Sequence, residues 1–287
     1  MKHPTAADIQ RLYAPAVLGG DLRTERRWGK ACLAYHVCIQ PGPDARAGLC
    51  LIQEDVLDLE PSLLRVPAHA LHVNLVWLLP EHQEFDRPKD ELWQRDSPEW
   101  LAILDGILGQ VQSFPLRFRD LVATDSAVIA VAEEPNRFSA LRRELKPALR
   151  VPGSLSAGEL VHMTLFRYER PLSRPALLVR RLAAGVQIDV AVREVLVVRE
   201  RVFPSIDYDV LHRTSLEPPG LGSRPSLSVV DVGRPDHRCR FGPVPRGTRC
   251  AGRAVGVYPA PPSPPLSDGG IADALVHGVG AAGGPTP

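Results

Sequence analysis

Lysine is almost missing from this chain. It occurs only at Lys2, Lys30, Lys89 and Lys146, so arginine supplies nearly all of the 34 basic residues. Acidic residues number 33 and the formal net charge is +1, which excludes a global field drawing the chain to nucleic acid or membrane but leaves room for a local basic groove. Cysteine is scarce too. Its five occurrences, Cys32, Cys38, Cys50, Cys239 and Cys250, are odd in number and contain no CxxC pair, which argues against a disulfide framework. A reducing, cytoplasmic setting is expected. Long apolar runs are also lacking: none approaches the roughly 20 residues needed to span a bilayer, and the N-terminus has no apolar core of signal-peptide length. Neither secretion nor membrane insertion is expected. The only Gly-x-Gly-x-x-Gly, Gly278 to Gly283, has no clear strand before it and only four residues after it, so it makes no dinucleotide loop.

What remains is ordinary for a folded, water-soluble protein: 287 residues, 44% hydrophobic and 23% charged. The composition changes near residue 218. From there, stretches such as EPPGLGSRPS and VYPAPPSPPLSDGG are too poor in apolar surface to offset the entropy of ordering them. The expected organisation is a body over residues 1–217 and a disordered Pro/Gly/Ala-rich tail over 218–287. In that tail PAPPSPP has the composition of a polyproline ligand, while His237, Cys239 and Cys250 lack standard zinc spacing.

Within the body, strands are expected over 31–39, 72–79, 116–124, 127–134 and 161–167, with one or two more over 186–200. Helices are expected within 45–59, from about Pro98 to Gln112, and over 136–149, where Asn136 offers an N-cap and Phe138, Leu141 and Leu145 recur at helical spacing. The two halves each set helices and strands around one histidine-bearing strand. The fold class is therefore α/β in the α+β sense, with a weak internal duplication and mixed or antiparallel sheets.

The two strands read His72-Val73-Asn74-Leu75 and His162-Met163-Thr164-Leu165, with the histidines 90 residues apart. Side chains at i and i+2 share a face of a strand, so His72 points with Asn74 and His162 with Thr164. Two imidazoles facing each other across a cleft suit phosphoester chemistry without a metal: one neutral ring takes a proton, the other, protonated, donates to the leaving oxygen, and Asn74 and Thr164 hold phosphate oxygens. A third histidine, His69, raises a zinc set with His72 and His162, but i and i+3 oppose each other on a strand, so no metal is expected.

The chain resembles the 2H phosphoesterase superfamily, which includes 2'-5' RNA ligases and RNA 2',3'-cyclic phosphodiesterases. The resemblance rests on the two His-x-Thr/Ser-hydrophobic motifs, HMTL at 162–165 matching fully and HVNL at 72–75 except at Asn74. It extends over the element order from about Lys30 to Leu216, including the closing EVLVVRERVFPSIDYDVLHR with Tyr208 near its end. It implies a bilobal, internally duplicated fold around a central cleft and a cofactor-free cyclic phosphodiesterase or ligase acting on an RNA end or small nucleotide, with His72 and His162 as the acid/base pair; neither a membrane nor an obligate protein partner is expected. It also implies a basic residue at the position of Arg167, although strict alternation turns Arg167 away from His162 and leaves a surface role open. The same alternation puts Tyr168 on the His162 face, either lining the cleft or packed in the core. Asn74, longer than a hydroxyl residue, opens an alternative: a nucleotide-binding module that keeps the cleft without efficient turnover.

Overall fold

A repeated strand–helix–strand unit carries each histidine. The computed structural model describes residues 4–133, 135–151 and 160–218, all within one compact unit. In the first repeat β1 (Ala31–Ile39) leads through α2 (Pro43–Leu59) to β3 (Val73–Leu79), which pairs antiparallel with β1. In the second, β5 (Ala127–Glu133) leads through α4 (Asn136–Leu149) to β6 (His162–Tyr168), again antiparallel neighbours. His72 immediately precedes β3 and His162 opens β6, so the histidines hold equivalent places in the two repeats.

The repeats exchange elements. Short β2 (Leu63–Arg65) follows α2 yet pairs with β6. The closing strands β8 (Glu194–Val202) and β9 (Asp207–Ser215) follow the second repeat yet extend the first sheet. The result is a four-stranded sheet in the order β3-β1-β8-β9 and a five-stranded sheet in the order β2-β6-β5-β4-β7, where β4 is Phe114–Ala123 and β7 is Ile188–Val192. Every pairing between these strands is antiparallel, which settles the choice left between mixed and antiparallel sheets. The helices cross over as well, α4 packing on β3 and α2 on β7. One apolar cluster consequently joins both sheets, with Val37, Val73 and Leu75 from the first and Phe118, Met163 and Leu165 from the second.

Helix α4 forms as its spacing predicts, burying Phe138, Leu141, Leu145 and Leu149 on one face. Strand β5, between β4 and β6, is buried on both faces: Val128, Ala130 and Ala132 join the main core, while Ala127, Ile129 and Val131 pack with Ile9 of α1 (Ala6–Gly19). That helix escapes a periodicity search with its weak apolar stripe, but its ends are written in the sequence: Thr5 and Asp8 form a capping box and Gly20 closes it at φ 80°. The helix expected from Pro98 is α3 (Lys89–Leu108), which begins nine residues earlier and runs through that proline. Proline favours a first turn, which makes Pro98 look like a start, but the buried Leu92, Trp100, Leu104 and Leu108 follow one face across it. Helix α5 (Pro175–Leu182) completes the set. Residues 219–287, which hold nearly all of the expected tail with PAPPSPP and the glycine motif, lie outside the described residues.

Candidate active site

Both motif strands break the alternation of a regular strand at the same place. Opposite β3, Val37 pairs with Val76 and Cys38 with Asn74, so Leu75 is an extra residue in the ladder. Opposite β6, Val128 pairs with Phe166 and Ile129 with Thr164, so Leu165 is the extra residue there. Each is a β-bulge, which turns the side chains after it to the other face; β3 has a second irregularity at Leu78, beyond Trp77. Burial follows the shift: Leu75 and Val76 are consecutive buried residues, as are Leu165 and Phe166. The residue five places after each histidine, Trp77 or Arg167, therefore turns back to the histidine's own side.

His72, Asn74, Trp77, His162, Thr164 and Arg167 line a single cavity. His72 is oriented by its Nδ1, 2.7 Å from the carbonyl oxygen of Ala70 in the 3-10 turn Ala68–Ala70. A carbonyl only accepts, so Nδ1 donates and Nε2 is the basic nitrogen of the neutral ring. Burial lowers the pKa of His72 and the nearby Arg167 charge does the same, against the Ala70 carbonyl, which favours the protonated form. Behind it His36 of β1 is fully buried, its ring stacked on His72 at 5.2 Å between centroids and set edge-on to Trp77 at 4.9 Å. Neither His36 nitrogen has a hydrogen-bond partner among the described residues. Its pKa lies well below the ordinary imidazole value, through burial first and then His72, and it stays neutral.

Cationic side chains converge on the same cavity. Arg142, reaching in from α4, donates to the backbone carbonyls of Leu75 at 3.2 Å, Leu160 at 3.0 Å and Asn74. Burial lowers its pKa to about 10, still leaving it charged at neutral pH. Arg167 and Arg27 both lie over the ring of Phe203, at 5.9 and 4.3 Å, and Arg27 pairs with Glu81. Glu200, also in the lining, accepts from the backbone N–H of Ser205, and burial pushes its pKa up to about 7. Anions are thus favoured at the histidine end, beside a flat aromatic flanked by guanidinium groups.

The fold resembles solved structures. One is a Thermus thermophilus protein with 23% sequence identity, covering 64% of this chain and 98% of that one at a TM-score of 0.47. Another is Escherichia coli LigT in complex with 3'-AMP, with 15% identity, 65% and 99% coverage and a TM-score of 0.47. A third is described as a phosphoesterase, with 17% identity, 64% and 99% coverage and a TM-score of 0.46. No protein-family model and no curated protein sequence matches the chain.

The placement of Tyr168 on the His162 face is corrected. It follows the Leu165 bulge, points into the core with no exposure, and donates through its hydroxyl to the carbonyls of Thr124 at 2.9 Å and Ala127 at 3.3 Å. Burial pushes that phenol's pKa up, and the group is not part of the cavity. His69 is also elsewhere, its Nε2 2.8 Å from the Ile206 carbonyl. Tyr208 donates to the His69 carbonyl at 2.9 Å and accepts from Gln40 at 2.6 Å, bracing β9 against the turn before His72. Among the described residues, no group of three His, Cys, Asp or Glu side chains is placed to hold a metal. Sequence reasoning missed His36, Trp77, Arg142, Glu200 and Phe203. Only Trp77 had a signal, through its equivalence with Arg167 five residues after a motif histidine.

Proposed function

We propose that this chain is a metal-independent 2H-type phosphoesterase that hydrolyses, or reversibly ligates, a 2',3'-cyclic phosphate or a 2'-5' phosphodiester of RNA or a small nucleotide. The observation that carries this reading is the convergence of both His-x-Asn/Thr pairs, from two different sheets, on one cavity with Arg167 and Arg142. For hydrolysis His72 is assigned as the general base: Ala70 occupies its Nδ1, leaving a neutral ring with a basic Nε2, and its lowered pKa keeps that form populated at neutral pH. His162 is assigned as the acid that protonates the leaving oxygen, and the roles exchange in the ligation direction. Thr164 and the Asn74 amide hold non-bridging oxygens, while the two guanidinium groups favour the charge that builds up on them. Phe203 offers its face to a base. No cofactor enters this chemistry, and an RNA end or a small nucleotide is the partner it calls for. The reducing cytoplasm suits the unpaired Cys32, Cys38 and Cys50, and among the described residues no helix is long and apolar enough to cross a membrane. The catalytic body is assigned to residues 1–217, and residues 218–287 to an appended segment.

The test is hydrolysis of 2',3'-cyclic nucleotides with EDTA present. Turnover is expected to survive the chelator and to fall by about 10²–10⁴-fold in both His72→Ala and His162→Ala, the range for losing a general acid or base. Turnover that vanishes with EDTA, or persists in either variant, would refute the two-histidine assignment.

A second reading, a nucleotide-binding module without efficient turnover, is favoured by one observation. The side-chain carbonyl oxygen of Asn74 is buried with no hydrogen-bond partner among the described residues, so the first motif is poorly satisfied. Binding of 3'-AMP without hydrolysis, together with turnover gained in Asn74→Thr, would select this reading.

A further inference from the structure

At each bulge, backbone carbonyls are met by a side chain from the helix of the other repeat, and the carbonyl of Leu165 also accepts from the backbone N–H of Val66 at 3.0 Å. In the first sheet, Arg142 of α4 donates to the carbonyls of Asn74 and Leu75 at the bulge of β3. The same guanidinium holds the carbonyl of Leu160, two residues before His162. In the second sheet, Gln53 of α2 donates to the carbonyl of Leu165, at the bulge of β6, at 3.0 Å. Its amide also holds the carbonyl of Val66, on the approach to His72, at 2.9 Å. The two braces correspond: each helix residue grips the bulge of the opposite motif strand and the segment leading to its own repeat's histidine. Gln53 is fully buried, and its side-chain oxygen accepts from Arg65 at 3.0 Å, which fixes the amide with its N–H groups toward the two carbonyls.

We infer that Gln53 and Arg142 are a pair of positioning residues that set the spacing of His72 and His162 by tying the two sheets together at their bulges. Their meaning in catalysis rests on the two-histidine reading, although the bracing itself is independent of any substrate. Strands β3 and β6 share no ladder hydrogen bonds; the β2–β6 pairing and the Val66–Leu165 backbone bond tie the approach to His72, and the side-chain braces add directional contacts at the bulges that apolar packing cannot supply. Acid/base transfer across a phosphate tolerates little error, since a misplacement of about 1 Å can cost on the order of 10²-fold in rate. Gln53 separates positioning from substrate contact: Arg142 lines the cavity, where substrate would sit, but Gln53 does not.

The experiment compares the full-length wild type with Gln53→Met and Arg142→Lys. The first removes the amide donors at similar volume, and the second keeps the charge but cannot span three carbonyls. Two readouts are taken: kcat and KM for a 2',3'-cyclic nucleotide, and the imidazole NMR resonances of His72 and His162, assigned by His→Ala variants. Both substitutions are expected to lower kcat by about tenfold to a hundredfold with KM changed less than about threefold. Gln53→Met should move the His162 resonances and Arg142→Lys those of both histidines. Unmoved resonances, or an effect of Gln53→Met confined to KM, would overturn the inference. If the wild type turns over no cyclic phosphate, the functional reading fails while the resonances still decide the bracing. Should Gln53→Met lose its native circular dichroism, Gln53→Glu, which keeps the length and the Arg65 contact, replaces it; unfolding of both would mark Gln53 as a folding determinant and overturn the proposal.

Discussion

Asn74 stands where a hydroxyl residue completes the second motif, and it brings a buried carbonyl oxygen that no donor among the described residues meets. An unmet buried acceptor costs about 1–3 kcal/mol, and asparagine is a poor strand former besides. Asn74→Thr is therefore expected to raise stability by roughly 1 kcal/mol or more, read from the urea midpoint, and to raise kcat/KM in the same protein. The histidines predict the pH behaviour. With the pKa of His72 lowered, the acid limb of kcat/KM should fall below the ordinary value of about 6.5, and it should move when Arg167→Gln removes a charge that favours the neutral ring. For stability the sign is fixed by linkage: a histidine with a lowered folded-state pKa contributes fully above its unfolded value, and the contribution is lost as pH falls below about 6.5. His36 and His72 both act this way. Glu200, raised to about 7, acts oppositely, its contribution being lost as pH rises from its ordinary value through 7. Comparing wild type with His36→Phe isolates the buried ring: the variant's Tm is expected to drop less between pH 7 and pH 5.

At the scale of elements, the two motif strands were legible because β-propensity and i, i+2 alternation are local. They failed at the bulges. Nothing in HMTLFRY marks Leu165 as the bulge, since the extra residue is defined by how Val128 and Ile129 of β5 pair across from it. Alternation carried through the bulge puts Tyr168 on the His162 face and Arg167 on the opposite one, and the structure exchanges them. Tyr168→Phe gives a direct check. It removes hydroxyl hydrogen bonds to the Thr124 and Ala127 carbonyls, so it is expected to cost about 1 kcal/mol of stability and to leave kcat and KM unchanged. Arg167→Gln should do the reverse, with a large loss in kcat/KM and little change in the melting temperature. Helix α3 shows the same limit from another side, since a proline that signals a start locally is carried inside a helix whose buried face continues across it.

For the whole molecule, the backbone pairing of the described fold reaches as far as Glu217. Leu216 is buried and its N–H bonds to the Arg193 carbonyl, while Glu217 exchanges backbone hydrogen bonds with Val111 and Ser113. A chain ended after Pro218 is expected to keep the urea midpoint and turnover of the full-length protein. One ended after Ser215 should lose about 2 kcal/mol or more, the scale of removing a buried leucine. By itself the sequence determined the two histidine strands, the partnership of each histidine with Asn74 or Thr164, and the α+β class. All of these follow from local propensity, side-chain period and composition. Only the tertiary structure decided which residues join those histidines: His36 behind His72, Arg167 and Trp77 beyond the bulges, and Gln53 and Arg142 across the repeats. Each depends on how strands and helices distant in sequence pair and cross, and no local pattern records that.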